Sequence, residues 1–235
     1  MAKYSLALIG GWALALLLVI WHGPDFALAH FWYGLEGGQW SLQNHWLVKG
    51  IFHEGGRHLT TLLYVVVLLG LALNWRKPAR RNWLYLALTL PLVVLVVGTV
   101  KHLVPMDCPW NLMSFGGNRP FIALFAQRPD TMPASLCFPA GHASSGYAWL
   151  ALYFALGKRR WSWLPGMLLG LSFGLAQQLR GAHFLSHDLW TLMLSLTLSW
   201  LMARWLLPTT VAAPARSAPV EIADESALQT GAPAS

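Results

Sequence analysis

The chain has 235 residues, 56% of them hydrophobic and only 11% charged, with a mean hydropathy of +0.47. A soluble domain carries roughly twice that charged fraction, so composition excludes an ordinary soluble protein. The net charge of +7 does not indicate nucleic acid. Ten of the sixteen Lys and Arg residues (Lys3, Arg76, Lys77, Arg80, Arg81, Lys158, Arg159, Arg160, Arg204 and Arg216) sit at the ends of apolar runs or in short links between them. That is the positive-inside pattern of a membrane protein; a nucleic-acid face would array them along one exposed surface.

In chain order, the apolar runs predict six spans, at 4–21, 58–75, 83–104, 142–157, 161–181 and 186–207, each near the ~20 residues that cross a bilayer core. The fold class expected is therefore all-α and polytopic. Lys3, the first apolar run and Ala27-Leu28-Ala29 imitate a cleavable leader. The bulky polar stretch Trp21-His22-Gly23-Pro24-Asp25 favours a retained first span instead. The basic links 76–81 and 158–160 are expected on the cytoplasmic side, together with both termini. The loops 22–57 and 105–141 and the turn at 182–185 then face outward. Trp12, Trp21, Trp75, Trp83, Trp161, Trp163, Trp200 and Trp205 lie near span ends, as interfacial anchors do. The domain is expected to occupy 1–207. From Pro208 the chain is rich in Ala, Pro, Ser and Thr, too poor in large apolar residues to offset chain entropy, and a disordered cytoplasmic tail is expected.

Ionisable groups at a membrane edge are costly and mark function. They gather in three outward places: Lys101-His102, followed by Cys108-Pro109; Cys137-Phe138-Pro139-Ala140-Gly141-His142, leading into the fourth span; and Arg180-Gly181-Ala182-His183-Phe184-Leu185-Ser186-His187-Asp188. Pro and Gly before a helix leave its first N–H groups free for an anion. A histidine at that rim is a natural acid or base.

Those three pieces resemble the type 2 phosphatidic acid phosphatases, the membrane branch of the superfamily that includes vanadium haloperoxidases. The family pattern is KxxxxxxRP, then PSGH, then SRxxxxxHxxxD, and the resemblance covers roughly 58–200. Lys101, Pro109, Pro139, Gly141, His142 and His183 match it. Cys108 stands at the first Arg position, Ala140 at the Ser, Gln177 at the second Arg and His187 at the Asp, with Asp188 one residue further. Arg119, in the first loop, and Arg180, one helical turn after Gln177, are candidate replacement cations.

The resemblance implies a lipid phosphate or diphosphate phosphatase working without metal or cofactor. His183 would attack phosphorus, and Asp188 or His187 would orient it. His142 would protonate the leaving oxygen, while Lys101, Arg180, Arg119 and the N–H groups at Gly141 would hold the phosphate. A phosphotransferase with the same site is the alternative reading, and a non-enzymatic transporter or scaffold is one of another class. The expected location is a bacterial inner membrane with the site facing the periplasm, and the expected partners are membrane lipids and the lipid substrate. His53-Glu54-Gly55-Gly56-Arg57-His58 imitates a zinc-protease helix, but the histidines are five apart rather than four and Gly-Gly is expected to break the helix. A polar entry to the second span, lining the site mouth, is expected there instead. Cys108 and Cys137, the only cysteines, are expected to form a disulfide in an oxidising compartment, free thiols being the alternative.

Overall fold

The computed structural model of the protein describes residues 2–133 and 135–208; the expected disordered tail lies outside the described residues. Helix α1 (Ala2–Trp21) meets α2 (Gly23–Leu35) at a bend of 69°, with His22 in the left-handed region at φ 58°. Pro24 in the first turn of α2 lacks an N–H and prevents α1 from continuing. A π-helical stretch, Trp46–Gly55, runs unbroken into α3 (Gly56–Leu73). After a short basic link comes α4 (Arg80–Leu103). Among the described residues, the long connection beyond it holds two single 3₁₀ turns, Pro109–Asn111 and Met113–Phe115. The next helical run is α5 (Gly141–Tyr147), a 3₁₀ turn (Ala148–Ala151) and α6 (Leu152–Ala155), followed by α7 (Leu164–Leu179) and α8 (Leu185–Leu206). Among the described residues there is no strand, only an isolated bridge between Leu112 and Arg119.

One expectation is corrected and another is met in part. The segment 22–57 is largely helical rather than an outer loop, and Gly55-Gly56 does not break its helix. Both glycines keep right-handed helical angles. The second needs its missing side chain, because a Cβ there would lie 2.6 Å from the Phe173 ring. Crossing lengths also differ. Trp46–Leu73, α4 and α8 are each long and apolar enough to span a bilayer, and the bent pair α1–α2 is a fourth candidate. The expected fourth and fifth spans are shorter: the α5–α6 run ends at a turn through Gly157 (φ 70°), and α7 has 16 residues. Length and composition alone thus account for three or four crossings rather than six.

The outer surfaces of these helices carry large apolar side chains, among them Leu62, Leu69, Leu73 and Leu95, all more than half exposed. Such surface suits lipid and not water. At the basic ends, the guanidiniums of Arg80, Arg160 and Arg204 lie over the rings of Trp75, Trp161 and Trp200. Inside, polar side chains tie helix to helix through backbone carbonyls. The Tyr85 hydroxyl donates to the Ser199 carbonyl and the Tyr64 hydroxyl to that of Ala87, both at 2.9 Å.

Close approach of α5 and α7 positions the site. Gly166, Gly170 and Gly174 recur every four residues along one face of α7, so that face is nearly bare backbone. A Cβ on Gly146 of α5 would stand 2.5 Å from the Gly170 nitrogen. Small residues at such a seam let two helices touch, as in membrane helix pairs. The seam holds the start of α5, and with it His142, against Phe173 of α7 at a ring distance of 4.8 Å.

Candidate active site

The end of α4, the start of α5, the end of α7 and the start of α8 converge with the π-helical stretch before α3. Lys101 lies in the last turn of α4. A Cβ on Gly141 would sit 3.2 Å from its Nζ, so the ammonium lies over the α5 entrance. No hydrogen bond or ion pair engages that ammonium among the described residues.

His142 Nε2 is 3.0 Å from the Phe52 carbonyl oxygen, to which it donates. This leaves Nδ1 as the nitrogen open to proton transfer. Its ring packs on Phe173 and, at 4.4 Å, on His53.

The turn between α7 and α8 presents His183. Gly181 takes φ 69°, with the Trp40 ring where a side chain would go, and its carbonyl accepts from the Trp110 N–H at 2.9 Å. Left-handed backbone pressed by an aromatic ring is a position for glycine alone. Asp25 of α2 caps the start of α8: its carboxylate accepts the Ser186 N–H at 2.8 Å and the Ser186 hydroxyl. An anionic cap at a helix N-terminus offsets the dipole and satisfies an orphan donor.

His183 and His187 face each other, Nδ1 to Nδ1 at 3.4 Å, with the Cys137 backbone within hydrogen-bonding reach of both rings. His183 is 7% exposed. Burial first, then the charge of Lys101, holds its pKa well below 6.5, so the ring is neutral at neutral pH.

Asp188 goes elsewhere. It accepts from Gln178 Nε2 and packs against Gly174, on the α7 side. One residue turns a helix by about 100°, which carries its carboxylate away from His183 and leaves His187 beside it.

Of the candidate cations, Arg180 is buried near His142. It donates through Nε to the Gln43 carbonyl at 2.8 Å and through Nη1 to Gln177 Oε1 at 3.2 Å. Arg119 does not join the histidines. Its guanidinium is taken by Asp107 at 2.7 Å, the Pro133 carbonyl and the Ser135 hydroxyl. Arg128 completes this cluster at 2.6 Å from Asp107. Burial raises the Asp107 pKa, but hydrogen bonds from Arg128, Ser135 and Arg119 outweigh it and hold the carboxyl below its ordinary value.

Cys108 and Cys137 are joined by a disulfide across 29 residues, the Cα atoms 5.3 Å apart. It ties the segment after Lys101 to the one entering α5. Closing a loop of this size contributes about 3–4 kcal/mol in the chain-entropy model, less where helices already hold its ends. Reduction should therefore lower the unfolding temperature and the activity while the histidines stay intact. Two free thiols, found by alkylating unreduced denatured protein from its native membrane, would end the disulfide assignment.

The stretch 53–58, expected from sequence as a polar entry lining the site mouth, does bring His53 to this site, while Gln177 as a hydrogen-bonding group and Asp25 are not singled out from sequence. His53 Nδ1 is 2.9 Å from Gln177 Nε2, and no metal-type spacing would have led there. The buried histidine pair lies close to Lys101, with Arg180 close to His142, among helices several of which are long and apolar enough to cross a membrane. The PAP2 superfamily model matches residues 82–210, more than half of the chain, and the chain belongs to that superfamily. Membership supports an enzyme with a phosphorylated substrate. No curated protein and no solved structure matches it.

Proposed function

We propose that the chain is an integral membrane phosphatase that hydrolyses a lipid phosphate or lipid diphosphate through a phosphohistidine on His183. The observation that carries this reading is the His183–His187 contact at 3.4 Å, close enough to Lys101 for its charge to act on His183. Nδ1 of His183 is the ring nitrogen turned to His187, which gives Nε2 to the attack on phosphorus. The P–N bond forms as the bond to the leaving oxygen breaks, and protonated His142 gives that oxygen its proton. Neutral His142 then takes a proton from water, which attacks phosphorus, and the P–N bond breaks to release inorganic phosphate. Lys101 and Arg180 hold the phosphate oxygens, together with the N–H groups at Gly141. Arg119, committed to Asp107, shapes the outer loop instead.

A groove of about 750 Å³ between α3 and α4 supports a lipid substrate. Leu88, Leu92, Leu95 and Trp149 line it, and it reaches Arg57 and Ser145, the latter one helical turn from His142. The basic links 76–81 and 158–160 lie at the opposite helix ends, and the positive-inside rule then turns the site toward the periplasm of a bacterial inner membrane.

The experiment is phosphate release from a panel of lipid phosphates and diphosphates by purified protein in detergent. Because Lys and Arg supply the positive charge, vanadate should inhibit by mimicking five-coordinate phosphorus and EDTA should not. Loss of activity in EDTA restored by zinc or magnesium would overturn the scheme. A phosphorylated lipid acceptor in place of free phosphate would make the enzyme a phosphotransferase.

A further inference from the structure

We infer that His53 is a phosphate-binding residue of this site, standing where the superfamily pattern uses the arginine that Gln177 has replaced. The inference rests on the phosphatase reading and adds a residue outside all three motif pieces. Hydrogen-bond directions carry it. A guanidinium can only donate, so the Gln177 atom 3.2 Å from Arg180 Nη1 is Oε1. The amide orientation is thereby fixed, and its other end, Nε2, donates to His53 Nδ1 at 2.9 Å. An imidazole nitrogen that accepts an N–H carries no hydrogen, so neutral His53 holds its proton on Nε2. That N–H has no partner among the described residues, and His53 is only half-buried.

Its position fits the role. The His53 ring lies 4.4 Å from that of His142, and the neighbouring Phe52 carbonyl takes the His142 Nε2 hydrogen. One π-helical segment thus both fixes the acid and presents a donor beside it; π-helical segments are frequent at functional sites. Arg180 donates both to the Gln43 carbonyl and to Gln177, and the run from Arg180 through Gln177 to His53 is a directional chain that ends in one free N–H. Gln177 keeps the place of the lost arginine in space but passes its donor function to a side chain 124 residues away in sequence.

The probe is inorganic phosphate, titrated calorimetrically into the full-length purified protein, alongside KM and kcat for the best lipid phosphate. His53→Ala should weaken phosphate binding and raise KM roughly tenfold to a hundredfold, the range for losing a hydrogen bond to a charged group, with a smaller change in kcat. His53→Gln keeps an N–H near the Nε2 position and should retain most affinity. His53→Asn keeps the bond to Gln177 but lacks the outer donor, and should match His53→Ala. Gln177→Arg in the His53→Ala background should restore affinity. Unchanged phosphate affinity in folded His53→Ala and His53→Asn, with only kcat reduced, would make His53 a prop for His142 and overturn the inference while leaving the phosphatase reading standing. A wild-type protein with no affinity for phosphate overturns both.

Discussion

His183→Ala and His142→Ala should each lower kcat by about three orders of magnitude or more, the usual scale for removing a nucleophile or its acid partner. Helical content and membrane insertion should be unchanged. His183 lies in a turn whose geometry is set by Gly181, Trp110 and the Asp25 cap rather than by its own ring. His142 starts a helix held to α7 by glycine packing, so its ring can go without freeing α5. The pH profile adds a second check. In the proposed mechanism attack requires neutral His183, whose pKa lies well below 6.5 because burial and Lys101 disfavour its charge. The acid limb of kcat/KM should therefore lie below pH 6.5, activity falling as pH drops through the lowered pKa. More than a tenth of wild-type rate in either variant would defeat the assignment.

The long helices were legible because hydrophobic runs need no partner to be recognised. The run expected at 83–104 is α4, Arg80–Leu103, and that at 186–207 is α8, Leu185–Leu206. Gly23-Pro24, Gly37-Gly38 and Gly55-Gly56 in the segment 22–57 all look like breakers; the first pair follows the end of α1, the second takes left-handed angles after α2, and only Gly55-Gly56 continues its helix. At Gly55-Gly56 the deciding fact is the Phe173 ring, more than a hundred residues away, which fills the space a side chain would need. Arg119 shows a similar limit. It was a sensible candidate for a missing phosphate cation, but the acid that claims it, Asp107, sits in the same loop as Arg128, and sequence does not say which cation meets which anion. The motif histidines were visible as residues; the pairings of Phe52, His53 and Gln177 around them were not, because these are tertiary contacts without a sequence signature.

The choice between His187 and Asp188 as the group that orients His183 leads to the second large effect. The superfamily pattern puts an acid at position 187, and the displaced Asp188 invites the idea of a slipped turn. The fold argues for the histidine: His187 Nδ1 is 3.4 Å from His183 Nδ1, whereas Asp188 is bound to Gln178 and wedged against Gly174. On this reading His187, its Nδ1 against Nδ1 of His183, orients the ring so that Nε2 is the nitrogen away from it, and so does the work of the acid without its charge. Loss of a tautomer-setting partner costs up to about four orders of magnitude in serine proteases. His187→Leu should accordingly lower kcat by about two orders of magnitude or more, with little change in KM. His187→Asp restores the superfamily acid and should keep activity. It should also raise the His183 pKa, because a carboxylate favours the imidazolium, and so move the acid limb of the pH profile upward. Asp188→Asn keeps an oxygen for Gln178 and should stay within a few-fold of wild type. The decisive comparison is kcat for His187→Leu and Asp188→Asn at matched helical content. A large loss in Asp188→Asn with activity retained in His187→Leu would return the orienting role to the carboxylate and require α8 to start one residue later than it does here.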